Sequence, residues 1–111
     1  MGENVEISIA KDYSPYPAGR DDGDGPFNGS KFRDELLKPA YLKAKCNQAK
    51  LTINLDGMQS FGSSFLEEAF GGLVRKNPNY KSDLINRLTF TYTRPSFRRY
   101  EQAIKKYLSE A

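Results

Sequence analysis

Apolar and polar positions alternate through Val5-Glu6-Ile7-Ser8-Ile9, and again from Leu51, where Leu51, Ile53 and Leu55 fall on one side. A period of two marks a strand with one buried face. A third alternating run, Leu88, Phe90 and Tyr92 set against threonines, predicts a strand within Leu84–Thr93. Between these runs the period lengthens. Phe32, Leu36, Leu37, Tyr41 and Ala44 recur at helical spacing, as do Phe65, Leu66, Ala69, Phe70, Leu73 and Val74. Phe97, Tyr100, Ile104, Tyr107 and Leu108 form a third stripe of the same kind. The order βαβαβα favours parallel crossovers. Strands that alternate, rather than running uniformly apolar, leave one face of the sheet without helices. The pattern therefore predicts an α/β two-layer sandwich: a small, mainly parallel or mixed sheet with helices chiefly on one face.

The element ends carry their own signals. Ser30 is an eligible N-cap for the first long helix. Pro39 predicts a kink or a restart, because it removes one backbone hydrogen bond. Ser63 or Ser64 opens the second helix, and Ser64-x-x-Glu67 fits a capping box. Gly71-Gly72 weakens that helix by about 1 kcal/mol per glycine relative to alanine, which close approach to the sheet would explain. Asn77-Pro78-Asn79 breaks the chain, and Pro95 suits the first turn of a helix over Ser96–Ser109. Lys11–Gly29, rich in proline, glycine and aspartate, reads as a long loop, a kind that is usually functional or mobile.

Composition narrows the function classes. The 111 residues, 38% hydrophobic and 28% charged, fit one ordinary globular domain spanning 1–111. No apolar run approaches the ~20 residues that span a bilayer. The opening Met1–Tyr13 has neither a basic start nor an apolar stretch, and Ile7 stands where a myristoylation signal has Ser or Thr, so a cytoplasmic location is expected. A single cysteine, Cys46, excludes an internal disulfide and a cysteine zinc cluster, and its place near the end of an amphipathic run predicts a buried or half-buried, inert thiol. The absence of histidine excludes Ser-His and Cys-His catalysis and imidazole metal ligands. Asp22-Gly23-Asp24-Gly25 has part of a calcium-loop pattern but lacks the further oxygen ligand and the distal Glu. No metal, no cofactor and no enzymatic activity is expected. An enzyme would have to use the acidic loop with Arg20, which reads better as a clamp to Asp56 or another carboxylate.

What remains is the strand-turn-helix that runs from Asp56 to Glu68. A helix N-terminus at the carboxyl end of a strand presents unpaired N–H groups and a positive dipole end. Serines there can cap the helix, meet a partner or carry a phosphate, which such a site stabilises. Asp56, Ser60, Gly62, Ser63, Ser64, Phe65, Glu67 and Glu68 form the candidate partner-binding set, with Arg20, Asp21 and Asp22 as loop contacts. The basic last third gives the alternative. Arg94, Arg98, Arg99, Lys105 and Lys106 with Tyr100 would serve a nucleic-acid-binding helix, or a solvated face. The net charge is only +3.

At Gly62-Ser63-Ser64-Phe65 the chain resembles the STAS-like domains, relatives of the anti-sigma-factor antagonists. Gly19-Arg20, Gly25-Pro26-Phe27-Asn28-Gly29 and Phe32 match, in order, further elements of a prokaryotic and phage subgroup of unassigned function, so that the resemblance covers roughly residues 19–93. In the antagonists the second serine of an Asp-Ser-Ser-Gly turn is phosphorylated by a histidine-kinase-like ATPase; here Gly62 replaces the Asp and Phe65 the Gly. The resemblance implies the sandwich fold, a non-catalytic signalling module, and a protein partner, such an ATPase or another signalling protein; a homodimer is compatible with it. It also implies that Ser64 is the phosphoacceptor.

Overall fold

The computed structural model describes residues 4–60 and 62–111; of the stretches read above, Met1–Glu3 and Phe61 lie outside the described residues. Three strands, β1 (Val5–Ser8), β2 (Leu51–Asn54) and β3 (Leu88–Thr91), form a parallel sheet in the order β1-β2-β3. Val5 pairs with Leu51 and Leu51 with Leu88, while Ile7 pairs with Ile53 and Ile53 with Phe90. This register puts Val5, Ile7, Leu51, Ile53, Leu88 and Phe90 on one face, as the period of two requires. The opposite face carries Glu6, Ser8, Thr52, Asn54, Thr89 and Thr91, with the Thr52 and Thr89 hydroxyls 2.9 Å apart. Helices cover the apolar face, so the molecule is an α/β two-layer sandwich.

Ile9 leaves β1 for a one-turn helix, α1 (Ile9–Asp12), whose N-cap Ser8 accepts from the Lys11 N–H. Ile9, expected inside the strand, is thus helical but still buried. The next helix, α2, runs 29–46 without a break: Gly29–Phe32, a wide turn Arg33–Leu37, then Lys38–Cys46. Pro39, expected at a kink or a restart, falls in the first turn of the Lys38–Cys46 segment, and the helix continues through it. The Lys38 N–H reaches back five residues to the Arg33 carbonyl, and this π-type turn makes room for a ring that would strike the carbonyl four residues before it. Ser30 is not the N-cap. Asn28 is, accepting from the Lys31 N–H at 2.9 Å, two residues before the expected cap. Gly29 is needed because α2 crosses the following helix closely; a Cβ there would lie 2.7 Å from the Phe65 carbonyl oxygen.

Helix α3 runs 63–76 with its own wide turn at Glu67–Gly71. The stretch before β3, expected as strand from Leu84, is instead helix α4 (Lys81–Arg87), and the switch comes at Leu88. Leu84 and Leu88 stand four apart, so they satisfy a helical stripe as well as an alternating one. Residues Pro95–Phe97 make a 3-10 turn that leads into α5 (Arg98–Glu110). Phe32, Phe65, Phe70 and Tyr41 are fully buried in one core with the β2 residues Leu51 and Ile53 and with Leu55 just beyond the strand. Cys46 is exposed, contrary to expectation, because it falls in the last turn of α2, beyond the residues that face the sheet. Among the described residues, no helix is long and apolar enough to cross a membrane.

Candidate functional site

Where β2 ends, the chain turns through Asp56-Gly57, with Gly57 at φ +88°, a left-handed conformation that favours glycine. Asp56 works as a clasp between strand exits. Its Oδ1 accepts from the Thr93 N–H at 2.8 Å and the Thr93 hydroxyl at 3.1 Å. The turn then passes under the 11–29 loop, where the Gln59 and Ser60 N–H groups donate to the Pro15 carbonyl at 2.9 and 3.4 Å. A Cβ at Gly62 would stand 3.9 Å from the Ala18 Cα, so loop and turn lie side by side.

Helix α3 starts at Ser63 with Gly62 as its N-cap and no side-chain cap bond. The capping box of Ser64 and Glu67 does not form. Ser63 and Ser64 occupy the first two helical positions, and both are exposed. Phe65, grouped above with the contact residues, is fully buried among the rings of Tyr13 and Phe32 (centroids 6.2 and 5.4 Å away), so it holds the turn from beneath.

Glu67 and Glu68 are taken up elsewhere. Arg20, on the loop, donates to Glu67 at 2.6 Å and reaches Glu68 at 3.5 Å, which makes it a clamp to these carboxylates and not to Asp56. Arg75 grips both oxygens of Glu67, with Nη2 at 3.0 Å from Oε1. Arg33, only 3% exposed, donates to Glu68 Oε2 at 2.6 Å and to both oxygens of Asp34. Hydrogen bonds from Arg75, and secondarily from Arg20, hold the Glu67 carboxyl below the usual range, while the Arg33 bond does the same for Asp34. Three guanidiniums therefore meet three carboxylates, and the network is neutral as a whole.

This network explains the two glycines. A Cβ on Gly71 would lie 2.6 Å from Glu67 Oε2, and one on Gly72 would lie 2.8 Å from Glu68 Oε2 and 2.9 Å from Arg33 Nη1. Close approach is the reason for them, but to the ion pairs and not to the sheet. Arg33 and Arg75 escape a reading by sequence because their partners are set by tertiary packing. The only prior signal was the glycine pair itself.

The acidic loop residues fold the loop. Asp21 caps the 3-10 turn Asp22–Asp24 and accepts from the Gly23 N–H at 3.1 Å, while Asp22 accepts from the Asn28 side chain at 3.1 Å. Among the described residues, no group of three or more His, Cys, Asp or Glu is placed to hold a metal ion. The basic residues of α5 are spread out. Lys105 pairs with Glu101 at 2.7 Å, and Arg99 donates to the Tyr100 hydroxyl at 3.0 Å.

Residues 28–96 match the profile of a family described as a STAS-like domain of unknown function. No curated protein and no solved structure matches the chain.

Proposed function

Because the chain belongs to the STAS-like family of unknown function, we propose that it is a non-catalytic regulatory module that docks a protein partner through the turn from Asp56 to Glu68, with phosphorylation of Ser64 as the control. The observation that carries this reading is the exposure of Ser63 and Ser64 on a helix start that neither of them caps. A capping hydroxyl is committed to the backbone and its loss would damage the helix; these two are available to another molecule.

The surroundings support the phosphate in particular. Ser64 sits in the first turn of a helix of 14 residues (63–76), where the dipole and the unpaired N–H groups favour negative charge. The carboxylates of Glu67 and Glu68, one turn on, are matched by Arg20, Arg33 and Arg75, so an added phosphate does not face uncompensated acid. The same group would bring charge, bulk and hydration to a contact surface.

The resemblance to the antagonists makes a histidine-kinase-like ATPase the first partner to test. A purified ATPase of this class would be titrated calorimetrically with wild type, Ser64→Ala and Ser64→Asp. Wild type and Ser64→Ala should bind alike, and Ser64→Asp more weakly by about tenfold, equivalent to ~1.4 kcal/mol. Phosphate from ATP should enter wild type and not Ser64→Ala. Equal binding by wild type and Ser64→Asp would remove the switch; binding by none of them would remove the ATPase.

A further inference from the structure

Resting on the docking reading, we infer that the groove between α3 and α5 receives the partner's anchoring side chain, and that this anchor is an apolar residue flanked by a carboxylate. The groove has a volume of about 360 Å³ and is lined by Ser63, Leu66, Arg99, Tyr100, Ala103 and Tyr107. Its floor and walls come from apolar groups at helical spacing: Leu66 from α3, and Tyr100, Ala103 and Tyr107 from one face of α5. Leu66 is buried, while the two tyrosines and Ala103 are half-buried and show part of their surface in the groove. Such a cleft accepts an aliphatic or aromatic side chain and gains from the apolar area removed from water.

Charge identifies the neighbour of that anchor. None of the six lining residues is acidic. The Arg99 guanidinium lies 4.9 Å from the centre of the Tyr100 ring and donates to its hydroxyl, which lays the cation along the groove wall. This guanidinium attracts a carboxylate and repels a basic segment, so it selects among apolar anchors that would otherwise fit equally well. Arginine and tyrosine are also the residue types that concentrate binding energy at protein interfaces. Ser63 joins the two parts of the surface. It lies on the rim of the groove and is the chain neighbour of Ser64, so an anchor seated here would bring its partner against the serine turn.

The test is selection of random 12-residue peptides displayed on phage, with the protein held on a surface through biotin on Cys46, the single cysteine of the chain, exposed on α2 away from the groove lining. Ala103→Arg fills the groove on a half-buried helix position; Arg99→Glu keeps the volume and reverses the charge. Circular dichroism of both variants checks that they fold. Peptides enriched on wild type should combine Leu, Ile, Met or Phe with Asp or Glu, and should bind each variant at least about tenfold more weakly. Arg99→Glu should enrich basic peptides instead. Peptides that bind Ala103→Arg as well as wild type, that show no acidic preference, or that fail to enrich at all would overturn the inference. Selected peptides that compete with the ATPase at Ser64 yet ignore Ala103→Arg would refute the groove and leave the docking reading standing. Groove-dependent peptides combined with ATPase binding that is indifferent to Ser64→Asp would do the reverse.

Discussion

Two adjacent glycines in the middle of one helix should respond very unequally to the same substitution. Gly71 and Gly72 both have ordinary right-handed helical backbone, at φ −64° and −62°. Alanine at either position should therefore add about 1 kcal/mol of helix propensity. What differs is the atom in the way. At Gly71 the new Cβ meets the Glu67–Arg75 pair, whose side chains are 23% and 44% exposed and can swing outward at small cost. At Gly72 it meets the Glu68–Arg33 pair, and Arg33 is 3% exposed and held on its other edge by Asp34. Separating a buried pair while leaving both charges inside costs about 3–5 kcal/mol. Setting the helix gain against that loss, Gly72→Ala should destabilise by roughly 2–4 kcal/mol, and Gly71→Ala should stay within about 1 kcal/mol of wild type in either direction. Urea denaturation of both variants, read by far-ultraviolet circular dichroism, gives the two free energies directly. For a chain of this size, the Gly72 loss corresponds to a Tm lower by some 10 °C or more. A Gly72→Ala variant as stable as Gly71→Ala would show that the Arg33 pair yields freely, and the argument that these glycines serve the ion network would fail.

Two further predictions concern single side chains. Asn28 is fully buried, accepts from the Lys31 N–H and donates to Asp22 and the Gly25 carbonyl, so Asn28→Ala should lose about 2–3 kcal/mol in urea denaturation while Ser30→Ala stays within about 0.5; equal effects would return the cap to Ser30. Asp83 accepts from Arg87 first and the Tyr41 hydroxyl second, and these bonds lower its pKa from an ordinary 3.8 to about 2. A depressed carboxyl stabilises the fold above its unfolded pKa and loses that contribution as pH falls through the folded one. Discounted for its 34% exposure, the contribution is about 1 kcal/mol. The stability gap between wild type and Asp83→Asn should therefore close between pH 4 and pH 2; a gap constant across that window would refute the assignment.

The order of elements and the faces they bury were legible from the chain alone, because both depend on contacts between near neighbours. Leu51, Ile53 and Leu55 alternate, and Ile104 and Leu108 stand one turn apart; each pattern fixes which side is apolar whatever lies opposite. The serine-headed start of α3 was legible for the same reason, since the strand, the turn and the helix follow one another directly. Tertiary structure alone decided what the polar residues do. Arg20 meets Glu67 across 47 positions and Arg33 meets Glu68 across 35, separations over which no periodicity carries information. That pairing turned Glu67 away from a capping box and gave Gly72 its purpose. The choice of Asn28 over Ser30 as cap also needed the fold, because Asp22 and Gly25 take up the rest of the asparagine amide. The groove beside Ser63 exists only once α5 packs against α3, since its lining comes from two helices that begin 35 residues apart.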